Sequence, residues 1–229
     1  MSSHQSEPDG HYFSPRPEVA SEPGAVELVL PEGRLIRLAT DRGVFSGDRV
    51  DPGTRALLVE GPEVTGPVVA DVGCGYGPIA VALALRGGPD VQVWAVDVNE
   101  RARALCAANA EANGVADQVR VVAPDEVPAD LVVDQIWSNP PIRIGKPALH
   151  DLLVRWLDRL RPGTGTAELV VQKHLGADSL AKWLDDQGWR TTRRASRGGY
   201  RILHVRASAA GGDGSRDGGD GESGEESPK

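Results

Sequence analysis

Several things are scarce in this chain of 229 residues, and each scarcity excludes a class of protein. It has only two cysteines, Cys74 and Cys106, too few for a disulfide framework and lacking metal-ligand spacing. Two reduced thiols fit a reducing cytoplasm, and cytoplasmic is the expected location. Aromatics make up 4% of the residues and there is one methionine, so the core must be built from Val, Leu and Ala. Long apolar runs are missing too. The longest uncharged stretch, Val72 to Leu85, is too short and glycine-rich to span a bilayer, so no membrane partner is expected. Met1 to Gly10 lacks the apolar centre of a signal peptide. An excess of positive charge is absent as well: the net charge is −8, which at first speaks against nucleic acid. Half of that excess sits at the end, because Ala207 to Lys229 holds six acidic and two basic residues.

What is present falls into three parts. Residues 1–24, rich in Ser, Pro, Glu and His, are expected to be a flexible N-terminal segment, with Tyr12 and Phe13 as docking candidates. Residues 25–206 carry the periodic patterns of one folded domain, and 207–229 are expected to be a disordered acidic tail. Ala25 to Leu30 and Arg34 to Ala39 flank Pro31-Glu32-Gly33 as a hairpin. Asp51 and Pro52 are the N-cap and first residue of a short helix through Val59. From Val68 onward the pattern alternates. Strands are predicted at Val68–Val72, Gln92–Val96, Val119–Val122, Leu131–Trp137 and Ala167–Gln172, and helices at Pro78–Arg86, Glu100–Asn113 and Pro147–Leu160. Continuously apolar strands, each leading into a helix, imply a parallel sheet covered on both faces. A further helix over Leu175–Gln187 and a hairpin of Trp189–Ala195 with Tyr200–Arg206 then place an antiparallel pair at the sheet edge. The fold class is therefore α/β, Rossmann-like, with a mostly parallel seven-stranded sheet and a C-terminal antiparallel hairpin, the pattern of class I methyltransferases.

Two segments carry the chemistry. Asp71-Val72-Gly73-Cys74-Gly75-Tyr76-Gly77 follows a strand and opens a helix. Glycine permits positive φ and close approach of the main chain to a ligand, and such turns lie at strand carboxyl ends, where open α/β sheets bind ligands. A nicotinamide-type fingerprint needs glycine at Pro78, and a phosphate-cradling loop needs Lys-Ser or Lys-Thr. Gly73, Gly75 and Gly77 thus suit a nucleoside cofactor, with a plain structural turn as the alternative. Asp97 ends the next strand, where a carboxylate can accept both hydroxyls of a ribose; capping of the following helix by Asp97 or Asn99 competes. Asp71 orients the glycine turn or meets the cofactor indirectly. Asp125 belongs either to an adenine rim or to a solvent-facing loop.

The second segment is Ser138-Asn139-Pro140-Pro141-Ile142-Arg143. An asparagine followed by prolines at a strand end either offers a rigid polar pocket to a planar amino group or simply turns the chain. Arg190, Arg193, Arg194, Arg197, Arg201 and Arg206 crowd the last hairpin, and Arg143, Lys146 and Lys173 sit at predicted loop ends on the cofactor side. They form a phosphate-binding rim or an aggregation-resistant edge. Trp137, Phe45 and Tyr200 are stacking surfaces for a base or parts of the core. His150 and His174 lack a Ser or Cys partner, and Cys74 is not expected to be a nucleophile.

Asn139-Pro140-Pro141 resembles the motif of S-adenosylmethionine-dependent amino methyltransferases. The wider chain, from about His11 to Arg206, resembles the RsmC-like bacterial 16S ribosomal RNA guanine-N2 methyltransferases built on the "methyltransferase small" domain. The similarity includes Thr40-Asp41-Arg42-Gly43-Val44-Phe45-Ser46, Val50-Asp51-Pro52-Gly53-Thr54, the glycine turn, and Gly145-Lys146 after the proline motif. It continues through Gln172-Lys173-His174-Leu175-Gly176-Ala177 and Gly199-Tyr200-Arg201-Ile202-Leu203. Full-length members commonly carry a second, degenerate domain before this one, and many have Phe or Tyr where this chain has Ile142. The resemblance implies S-adenosylmethionine as cofactor, with Asp71, Gly73, Gly75, Gly77, Asp97, Asp125 and Asn139 around it. It implies Asn139, Pro140, Pro141 and Ile142 at the reacting amine, RNA contacts through Arg143, Lys146, Lys173, Arg197 and Arg201, no metal, and 16S ribosomal RNA or the small subunit as partner. Protein glutamine or DNA adenine as acceptor, and a non-catalytic RNA-binding module, are the competing readings.

Overall fold

The computed structural model describes residues 19–206. The expected N-terminal segment up to residue 18, with Tyr12 and Phe13, and the expected acidic tail lie outside the described residues. A hairpin of β1 (Gly24–Val29) and β2 (Leu35–Thr40) forms a two-stranded sheet of its own. The main sheet contains β3 (Val68–Val72), β4 (Gln92–Val96), β5 (Val119–Val122), β6 (Gln135–Ser138), β7 (Thr166–Gln172), β8 (Arg190–Arg197) and β9 (Tyr200–Arg206). Their spatial order is β5-β4-β3-β6-β7-β9-β8. The first five run parallel, and β9 inserts antiparallel between β7 and β8. This is the α/β sheet expected from the alternation.

Both faces are covered, which explains why the strands read as unbroken apolar runs. Helices α1 (Pro52–Glu60), α2 (Pro78–Gly87) and α3 (Glu100–Ala112), together with the hairpin, enclose one core around Leu38, Leu57, Leu83 and Trp137. Helices α4 (Lys146–Leu157) and α5 (Ala177–Asp186) enclose the other around Ile136, Leu153, Leu169 and Leu184. One side chain ties the hairpin to the first of these layers. Asn109, buried on α3, accepts the Ala39 N–H at 2.7 Å and donates to the carbonyls of Ala39 and Tyr76 at 2.9 and 2.8 Å.

Two boundaries differ from expectation by three residues or more. The fourth parallel strand is Gln135–Ser138, not Leu131–Trp137. Asp134 accepts the Val68 N–H on its side chain, and Val133 exchanges backbone bonds with Arg159 and Arg161, so the run before it leaves the sheet. Helix α4 stops at Leu157, three residues early, because the chain turns there to make that contact. Among the described residues no helix is long and apolar enough to cross a membrane.

Candidate active site

The carboxyl ends of β3, β4, β6 and β7 open onto one cavity of about 550 Å³. One wall is the glycine turn. Gly73 and Gly75 have φ of 76° and 55°, and a Cβ at either would meet nothing within 4 Å, so the backbone there faces open space. The amides of Gly73 and Cys74 both donate to the Val96 carbonyl, at 2.8 and 3.0 Å, which pins the turn to the end of β4. Asp97, next after that strand, lines the same wall. Its Oδ2 accepts the Gly75 N–H at 2.9 Å and its Oδ1 the Asn99 N–H at 2.8 Å. Burial pushes its carboxyl above the usual range, opposed by those backbone N–H groups and by the Arg103 charge. Asn99 is the N-cap of α3, accepting from Arg101 and Ala102. Capping therefore falls to Asn99, and Asp97 is left at the cavity.

Not every predicted residue reaches that wall. Asp71 is fully buried beneath it, with Oδ2 accepting the Ala80 N–H at the start of α2 at 2.9 Å. Burial, with the Asp97 charge nearby, raises its pKa to about 8. Its Oδ1 has no partner among the described residues, as suits a carboxyl group that is not ionised. Gly77 also lies behind the wall: its φ is 92°, and a Cβ would sit 2.7 Å from the Cys106 Sγ. Asp125 is exposed and does not line the cavity, whereas its neighbour Pro124 does. Cys74 lies buried against Cys106; that contact and desolvation push its thiol upward, away from nucleophilic use.

The opposite wall comes from the loop after β2, the start of α1, the Asn-Pro-Pro segment and β9. Asn139 leaves β6 and donates from Nδ2 to Asp51 Oδ1 at 2.8 Å and Thr54 Oγ1 at 3.1 Å. Both amide hydrogens are thereby engaged, and Oδ1 remains an acceptor with no partner among the described residues. Asp51 is held in turn, because the same Oδ1 accepts the Thr54 N–H at 3.0 Å as the N-cap of α1. The Pro140 carbonyl accepts the Ile142 N–H at 2.8 Å, and the Pro141 carbonyl accepts the Ile144 N–H at 3.2 Å, closing a 3-10 turn over Ile142–Ile144. Pro140, Pro141, Ile142 and Arg143 all line the cavity. Phe45, 46% exposed, and Tyr200, whose ring lies against Gly53, stand at its wall. Trp137 does not: it is wholly buried against Gly61, as part of the core.

The predicted basic rim divides. Arg197 pairs with Glu60 at 2.7 Å and Arg201 with Asp178 at 3.1 Å. Arg194 pairs with the buried Glu168, which also holds His204. Lys146 and Lys173 are exposed and do not line the cavity, although Gln172, next to Lys173, does. Asp51 and Thr54 are the site residues that sequence reasoning missed. Their signals were the helix-start pattern Asp51-Pro52-Gly53-Thr54, which accounts for one of Asp51's two bonds, and the family resemblance of Val50–Thr54, which assigned them no role.

The model of the methyltransferase small domain matches residues 35–204. The chain belongs to that family. It is an S-adenosylmethionine-dependent methyltransferase of the class I fold and the RsmC-like type. This methyltransferase is 35% identical to the uncharacterized protein YbxB of Bacillus subtilis, over 86% of the chain and 98% of that protein. It is also 35% identical to ribosomal RNA small subunit methyltransferase C of Shewanella loihica, over 75% of the chain and 51% of that enzyme. The chain spans about half the length of the methyltransferase C relatives it matches. Among solved structures it is similar to the Thermus thermophilus 16S rRNA N2 G1207 methyltransferase RsmC in complex with AdoMet and guanosine. The TM-score is 0.69 at 26% identity, over 83% of this chain and 52% of that one.

The wall residues fit the family's cofactor. An open glycine backbone and a carboxylate at the neighbouring strand end supply room for a nucleoside and acceptors for its hydroxyls.

Proposed function

We propose that this methyltransferase modifies an exocyclic amino group of RNA, guanine N2 in 16S ribosomal RNA. The observation that carries the reading is the fixed amide of Asn139. Its two N–H bonds go to Asp51 and Thr54, so its oxygen meets an incoming amine as an acceptor without reorganising. The Thermus and Shewanella relatives, named as 16S or small-subunit rRNA methyltransferases, support the choice of RNA.

In this reading Asp97, Gly73 and Gly75 hold the nucleoside of the cofactor, and Asp71 supports the turn from below. When bound, S-adenosylmethionine supplies a methyl group on a positively charged sulfur, a strong electrophile. An aromatic amine is a weak nucleophile because its lone pair is shared with the ring. Asn139 Oδ1 accepts one of its N–H bonds. The Pro140 carbonyl, whose direction proline rigidity fixes, accepts the other with the lone pair not used by Ile142. With both hydrogens held, the nitrogen lone pair is directed toward the donor wall. The effect is positioning and electrostatics, with no strong base required. Ile142 supplies an apolar face to the base.

The test is methyl transfer from radiolabelled cofactor to small ribosomal subunits and their extracted RNA, taken from a strain lacking this gene. N2-methylguanosine in the nuclease digest is expected. Label in protein or in DNA would replace the proposed acceptor. Asn139→Ala should lower turnover by about 10²–10³ with cofactor affinity nearly unchanged. Full turnover in that variant would rule the mechanism out.

A further inference from the structure

We propose that Asp51 selects the base: its second carboxylate oxygen reads the N1–H of guanine beside the amino group and so excludes adenine. The inference rests on the reading of the cavity as an amino-methylating site. It adds a recognition role for a residue that otherwise serves as a helix cap.

Asp51 lines the same cavity as Asn139. Its Oδ1 is committed to the Thr54 N–H at 3.0 Å and to Asn139 Nδ2 at 2.8 Å. Its Oδ2 has no protein partner among the described residues, and neither has Asn139 Oδ1. The 2.8 Å bond keeps the two side chains adjacent, and because the amide N–H groups are already engaged, the pair offers an incoming base only acceptors, Asn139 Oδ1 and Asp51 Oδ2. Two adjacent acceptors match an edge with two adjacent donors. Guanine has that edge, with N1–H beside the 2-amino group. Adenine places an unprotonated N1 beside its amino group, and a glutamine side chain places a carbonyl oxygen there. Either would set a lone pair against the Asp51 carboxylate. A site built from buried or half-buried acceptors rejects an analogue that lacks the matching donor, because its own oxygen is left unpaired. A matched pair of such contacts discriminates between bases by about 10- to 100-fold.

The test uses the full chain saturated with S-adenosylhomocysteine, titrated calorimetrically with guanosine and with 2-aminopurine riboside. The second probe keeps the 2-amino group but has an unprotonated N1. Wild-type protein should prefer guanosine by at least about tenfold. Asp51→Asn keeps one oxygen for Thr54 and Asn139 and turns the other acceptor into an NH2 donor. In that variant the preference should vanish or reverse. An unchanged preference in a variant that melts at the wild-type temperature would overturn the proposal. So would equal affinity of the wild-type protein for the two nucleosides, a result that does not depend on the variant folding. Label recovered as N6-methyladenosine would overturn the functional reading as well. N2-methylguanosine with an unaltered preference in Asp51→Asn would overturn the role of Asp51 alone.

Discussion

Asp97 uses both carboxylate oxygens on backbone N–H groups, those of Gly75 and Asn99, before any ligand arrives. A carboxylate has about four acceptor sites, so two remain for ribose hydroxyls, and the two bonds already made fix their direction. Replacement by Ala removes the acceptors and also frees the glycine turn. Cofactor affinity should fall by about tenfold or more, since a hydrogen bond to a charged group contributes roughly 1.5–3 kcal/mol. Calorimetry with S-adenosylhomocysteine measures this directly, and an unaltered affinity would refute the ribose assignment. The position of Asp97 beside the glycine turn was legible in the sequence because it follows a strand end, where the chain order itself places it. Asp51 and Thr54 were not. Their bonds to Asn139 cross 88 and 85 residues of sequence, and nothing local signals a contact that only the packing of α1 against β7 creates.

The elements repeat this contrast. Helices α2 and α3 were readable from Pro78, Asn99 and Gly114, because caps and breakers are local chemistry. The run Leu131–Trp137 misled because apolarity does not distinguish a strand from a segment turned aside by one side chain, here Asp134. Beneath the glycine turn, Asp71 couples β3 to the start of α2. Its pKa of about 8 in the folded chain lies above the unfolded value of about 3.9. From about pH 4 to about pH 8 the unfolded chain has released this proton while the folded chain keeps it. Stability therefore falls as pH rises through that window and levels off above it. Asp71→Asn keeps an acceptor for Ala80 and has nothing to titrate. Its melting temperature should decline less than that of the wild type between about pH 5 and about pH 8. Parallel curves in differential scanning calorimetry would show that Asp71 does not hold the proton.

At the scale of the whole molecule, the seven-stranded sheet was predictable from alternation, whereas the electrostatic surface was not. Arginines adjacent in the last hairpin look like a nucleic-acid patch on paper. In three dimensions Arg194, Arg197 and Arg201 are neutralised by Glu168, Glu60 and Asp178, and they stabilise the sheet edge. Lys146 and Lys173 are exposed and have no ion-pair partner among the described residues. Replacing both with Ala should weaken RNA binding and reduce the slope of log affinity against log salt by about one per lysine. Arg197→Ala should change that slope less. Filter binding across a salt series compares the two, and an equal loss would return the hairpin to the interface.

The clasp made by Asn109 has a consequence for how such a pocket can change over time. The acceptor wall hangs partly from the hairpin, and the donor wall continues through Tyr76 into α2, yet one amide on α3 is bonded to both. Drift at the tips of the loops can retune substrate choice freely. Drift at that junction cannot, because a lineage that loses it loosens both halves of its catalytic cleft in a single step.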